Sequence, residues 1–184
     1  MIGCTRAEAL ISIPHAMYCL RFLEANKITH IVNLAADGPN APETVKNNEV
    51  FRDRPGFVYY SINVGDQIEG AVALMQALRG GCLKFIFDAL KDGHRVLCHC
   101  HKVSETMFFC CGTKSLILIN CAPNYSNIQG VSRSATACVA YLVEYKKMSL
   151  DDAFAMCKKS RQCVKVNSGF MSALQQQYGD ANLE

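Results

Sequence analysis

Two short strings in this sequence hold residue types that do chemistry together. Val96-Leu97-Cys98-His99-Cys100-His101-Lys102 is an apolar run ending in a reactive cluster, and Gly130-Val131-Ser132-Arg133-Ser134-Ala135-Thr136 is a glycine turn that opens a helical pattern. Val103 to Gln129, 27 residues, lie between them. With that segment left out the strings join as His99-Cys100-His101-Lys102-Gly130-Val131-Ser132-Arg133-Ser134, with five residues between Cys100 and Arg133. A thiolate is a strong nucleophile when positive potential draws its pKa well below the free value of about 8.5, and a helix N-terminus beside a guanidinium supplies that potential. Consecutive backbone N–H groups in a tight loop leading into a helix cradle the oxygens of a phosphate. Gly130 permits the turn, and Arg133 can grip a phosphoryl group through two parallel hydrogen bonds that lysine cannot copy. The joined string is a phosphate-handling loop that requires its nucleophile and its arginine to flank one small concavity.

HCHK joined to GVSRSAT resembles the phosphatase loop of the small dual-specificity protein phosphatases. ITHIVNLA at Ile28 to Ala35 resembles their early core strand, and VNSGF at Val166 to Phe170 their late asparagine-glycine-phenylalanine motif. FVYYSIN followed by Val64-Gly65-Asp66 resembles the segment that delivers their general acid. The resemblance runs from Ile28 to Leu174 outside the intervening segment, and the loop is its most specific part. It departs at the N-terminus, where the family's first strand is expected to be missing and Ile11 to Cys19 is expected to be excess.

That resemblance implies the roles. Cys100 would attack phosphorus and form a phosphocysteine, splitting one hard step into two. Arg133 would bind the phosphoryl oxygens in ground and transition states. Asp66 would protonate the leaving oxygen and then serve as base toward water, a service worth about 10²–10⁴-fold. Ser134 would assist release of phosphate from sulfur. His101, Lys102, Gly130, Val131 and Ser132 would line the phosphate with Arg133, while His99 holds the loop and Asn167 braces it. No metal or organic cofactor is implied. The implied partner is a phosphorylated protein, on phosphotyrosine and phosphoserine or phosphothreonine, and Lys102 leaves a phosphoinositide or other small phosphate ester open. Local readings stand beside these roles: aspartate is common in turns such as Gly65-Asp66-Gln67, and Asn167-Ser168-Gly169 also reads as the start of a helix.

Cys98-His99-Cys100-His101, with Cys110, Cys111 and Cys121, is also a string of soft metal ligands. Alternate residues of a strand face opposite sides, so Cys98 and Cys100 share one face and His99 and His101 the other. With no C-x-x-C pair, zinc is disfavoured.

The elements that must position these residues alternate. Ile28 to Ala35, Phe57 to Val64 and Arg95 to His99 have the β-branched and aromatic content of strands. Gly70 to Leu90 has helical periodicity broken at Gly80-Gly81. Ala36 to Gly56, rich in Pro and Asn, reads as a surface loop. Ser134 to Tyr145, Ser149 to Ser160 and Ser168 to Tyr178 read as helices, with Ser149 as an N-cap and Asp151 and Asp152 in the first turn. The pattern predicts an α/β fold: a central mixed sheet with helices packed on it, in one phosphatase-like domain over residues 1–184, interrupted at 103–129.

Composition agrees. The chain has 184 residues, half of them hydrophobic, enough for a single sizeable core. A net charge of +3 gives no footprint for nucleic acid and suits acidic, phosphorylated substrates. Eleven scattered cysteines without a leader pattern predict free thiols in a reducing cytoplasm or nucleus. The longest apolar run, Met107 to Cys121, is too short to span a membrane and carries Lys114. Oligomeric state is not legible.

The intervening segment bears on activity. For the loop to survive, Lys102 and Gly130 must stay nearly adjacent while an apolar flap loops out at the pocket mouth. A displacement of about 1 Å can cost about 10²-fold in rate. The expectation is little activity in this form, with phosphate or phosphopeptide binding retained, and the alternative is a non-catalytic phospho-binding protein or scaffold. Lys102-Val103-Ser104 is encodable as AAG-GTA-AGT and Gln129 as CAG, boundaries like those of an in-frame retained intron.

Overall fold

Alternating strand and helix patterns resolve into a mixed sheet with helices on it. The computed structural model describes Leu20 and residues 23–34, 54–100, 106–109, 116–118, 132–160 and 164–179. The expected excess at Ile11 to Cys19, most of the loop from Ala36 to Gly56, and His101, Lys102, Gly130 and Val131 lie outside the described residues.

Strands β1 (His30–Asn33), β2 (Val58–Ser61) and β3 (Val96–His99) are the three expected from sequence. β1 is parallel to both neighbours, with Asn33 opposite Ser61 on one side and His99 on the other. Two more strands come from the intervening segment, β4 (Thr106–Phe109) and β5 (Leu116–Leu118). β4 runs antiparallel to β3, placing Thr106 opposite His99, and β5 runs antiparallel to β4. The order is β2-β1-β3-β4-β5. Parts of the intervening segment thus join the sheet, β4 beside β3 and β5 beside β4. Pairing satisfies backbone groups that a free β3 edge would leave open.

Period-two alternation divides β3 between two cores. Val96, Cys98 and Cys100 belong to the main core, whereas Leu97 packs with Leu20, Leu23, Ile28 and Ile31 on the other face. Cys98 and Cys100 thus share a face, as the strand geometry requires.

Helices α1 (Ala71–Ala77) and α2 (Leu83–Lys91) flank a wide turn at Leu78–Cys82. The expected break at Gly80-Gly81 is present, and Gly81 has φ +148°, a conformation that side-chain-bearing residues rarely adopt. With the turn at Ile68–Gly70 in front, this makes a helical run of 24 residues, Ile68–Lys91, long and apolar enough to cross a membrane by length and composition. It is thus a longer candidate than Met107 to Cys121. Its Leu74, Leu78, Leu83 and Ile86 are buried in the main core, which accounts for its apolarity.

Helix α3 (Arg133–Lys146) is buried from Arg133 to Val143 and is the hub of the helical layer. α4 (Leu150–Ser160) starts as expected: the Ser149 hydroxyl accepts from the Asp152 N–H at 3.0 Å and donates to the Asp152 carboxylate at 2.7 Å. α5 (Ser168–Tyr178) is capped by Asn167, whose Oδ1 accepts from the Phe170 N–H at 2.8 Å.

Candidate active site

Cys100 follows β3 at the carboxyl end of the parallel strands, fully buried on the face that meets α3. Arg133 and Ser134 open α3. The Sγ of Cys100 lies 3.6 Å from the Oγ of Ser134, so the two halves of the divided motif meet in space across 34 residues of chain. One residue earlier on the opposite face, His99 Nδ1 donates to the Cys100 carbonyl at 3.0 Å and holds the first peptide of the loop. His99 is 1% exposed.

Arg133 is 7% exposed. Its Nη1 donates to the Val64 carbonyl at 2.6 Å, and its Nε lies 3.9 Å from Asp66 Oδ2. That Nε is buried and has no hydrogen-bond partner among the described residues. A buried donor on a fixed cation is costly unless an anion or acceptor meets it. Asp66 arrives from the segment after β2 and is about one-third exposed, at the rim of the site. Its Oδ1 accepts from Asn167 Nδ2 at 3.3 Å, and its backbone carbonyl accepts from the same amide at 3.2 Å.

Ser132 does not cap α3 with its own side chain. Its hydroxyl instead accepts from the Asn167 N–H at 3.1 Å, while its carbonyl accepts from Thr136 Oγ1 at 2.9 Å. Asn167 therefore caps α5, as the local reading expected, and links Ser132 to Asp66 through its backbone N–H and its side-chain amide. Sequence reasoning missed two contributors. The Val64 carbonyl is a backbone acceptor with no side-chain signature. Gly169 was legible only as part of a motif; a Cβ there would lie 2.8 Å from the Cα and carbonyl oxygen of Ile68, so its hydrogen is what lets α5 approach the Asp66 segment.

Behind the site stand four more thiols, Cys82, Cys98, Cys138 and Cys157, all free and buried. Burial pushes the thiols of Cys82 and Cys138 well up and that of Cys157 up to about 12. These three stay protonated, and all four pack as small hydrophobes.

A buried cysteine at a strand end, an arginine and a serine opening the facing helix, and an aspartate at the rim are the residue types that a cysteine-dependent phosphate site brings together. The family model described as dual specificity phosphatase, catalytic domain, matches residues 102–180. A rhodanese domain-containing dual specificity protein phosphatase of Dictyostelium discoideum is 29% identical over 159 residues, covering 86% of this chain and 25% of that protein. Dual specificity protein phosphatase 2 of Mus musculus is 30% identical over 159 residues, covering 85% of this chain and 36% of that protein. The chain thus spans about a quarter to a third of these curated relatives. Among solved structures, human DUSP28 aligns with a TM-score of 0.59 and 23% identity over 90% of this chain and 86% of that one, a likeness of fold. The family model, these relatives and the shared fold together support the dual-specificity phosphatase family for this chain.

Proposed function

We propose that this chain is a protein phosphatase that hydrolyses phosphotyrosine and phosphoserine or phosphothreonine through a cysteinyl-phosphate intermediate. The observation that carries the reading is the 3.6 Å approach of Cys100 Sγ to Ser134 Oγ, with Arg133 next in sequence and Asp66 beside it. In the first step the Cys100 thiolate attacks phosphorus, the ester P–O bond breaks, and Asp66 gives its proton to the departing oxygen. In the second, Asp66 takes a proton from water, which attacks phosphorus. The P–S bond then breaks, and the Ser134 hydroxyl donates to the sulfur as it leaves. Arg133, with an unmet buried Nε, supplies the charge that the phosphoryl oxygens need in both steps. His101, Lys102, Gly130 and Val131 complete the cradle in this reading.

A second reading is a non-catalytic phosphopeptide binder. The observation that favours it is the engagement of Arg133 by the Val64 carbonyl and Asp66, which a bound phosphoryl group would have to share. The two separate in an assay of an aryl phosphate with the full chain, with Cys100→Ser, and with residues 103–129 deleted, folding of each followed by denaturant unfolding. The proposal expects slow turnover by the full chain that is lost in Cys100→Ser. Phosphopeptide binding without turnover in the full chain and in a folded deletion variant would establish the binder. Because the deletion removes β4 and β5, its loss of stability is a separate and expected result.

A further inference from the structure

Large hydrophobic side chains stand well exposed at three described positions, Val58, Ile68 and Val72. Ile68 and Val72, 59% and 66% exposed, lie four residues apart on one helical face and form one wall of a shallow groove. The other wall is α5, through Gly169, Ser172, Ala173 and Gln176. No charged residue lines the groove. Two of three such exposed side chains in one concavity is a concentration that solvent alone does not favour.

The groove begins where the candidate site ends. Ile68 is two residues beyond Asp66 and Gly169 is two beyond Asn167, and Asp66 and Asn167 are joined by a hydrogen bond at 3.3 Å. The bare Gly169 against the Ile68 backbone locks the two walls together at that point. An extended polypeptide advances about 3.3 Å per residue, so the groove, which starts two residues of chain beyond Asp66, falls to the positions flanking a phosphoresidue held beside Asp66.

Resting on the proposed phosphatase reading, the geometry points to a specificity subsite here: the groove takes an apolar side chain of the substrate polypeptide flanking the phosphoresidue. Apolar walls without a cation select leucine-like over acidic flanks, and they offer no partner to an anionic lipid headgroup.

The test uses the full chain carrying Cys100→Ser, which binds without turning over, and two fluorescent phosphotyrosine peptides, one flanked on both sides by leucines and one by serines. Burial of one leucine against two apolar side chains predicts about tenfold tighter binding of the leucine peptide. Ile68→Ser with Val72→Ser brings that ratio to about one, whereas Val58→Ser, on the distant edge strand, leaves it unchanged. Both target side chains are exposed, so serine there spares the core. A double variant that keeps the roughly tenfold preference for the leucine peptide overturns the subsite. Binding of neutral vesicles that the double variant loses, with no peptide preference, overturns it in favour of a membrane contact. Failure of both peptides to bind, or binding that inorganic phosphate does not displace, overturns the phosphatase reading itself.

Discussion

Arg133 is the side chain on which the site turns, and its setting explains why its type was readable while its partners were not. A cysteine and an arginine at phosphate-loop spacing name their chemistry by type alone. The carbonyl of Val64, 2.6 Å from the guanidinium, is a backbone group that every residue has. The same limit hides His30, at the other end of the sheet from Cys100 and opposite Val58 and Val96. Its ring packs 4.5 Å from that of His94, and burial, then the His94 charge, lower its pKa from the ordinary 6.5 against an opposing pull from Asp92. Below pH 6.5 the unfolded chain therefore takes up the His30 proton before the folded one does, so its contribution is complete above 6.5 and is lost as pH falls. The expected result is a denaturation midpoint that drops between pH about 7.5 and about 5.5, with part of the drop removed in His30→Gln. A midpoint with the same pH dependence in the variant would contradict the assignment.

Elements with strong local signals were legible. The split helix at Gly80-Gly81, the Ser149 cap and the span of α5 all follow from propensity, and strand limits moved inward by up to three residues where pairing ends. The hairpin of β4 and β5 was not legible, because a short apolar run fits a strand or a buried helix equally and its partner, β3, lies outside the run. Nor could spacing disclose how closely α5 approaches the Ile68 turn. Gly169→Ala sets a methyl 2.8 Å from Ile68 backbone atoms, so the turn has to yield, and Asp66 two residues earlier moves with it. A shift of about 1 Å there is expected to lower kcat by about 10²-fold while Cys100 and Arg133 keep their places. Unchanged kcat in a folded Gly169→Ala variant would show that Asp66 is positioned by other contacts.

At the scale of the whole molecule, the frame does what a linear motif cannot. Parallel pairing of β1 and β3 ends at His99, and α3 packs under β3, so Cys100 and Ser134 are brought together whatever lies between them in sequence. The fold class was legible from element order, and the meeting of the two half-motifs from their residue types. The places of β4 and β5 were not, since they depend on a sheet edge rather than on local pattern. The central claim is that Cys100, assembled with Arg133 and Ser134 in this form of the chain, is a nucleophile toward phosphorus. Rapid acid quenching of the full chain with a phosphotyrosine peptide, followed by mass spectrometry of the Cys100 peptide, measures it directly. A phosphate adduct on Cys100 that is absent from Cys100→Ser is the predicted result. An unmodified Cys100 in a chain that binds the same peptide would contradict it.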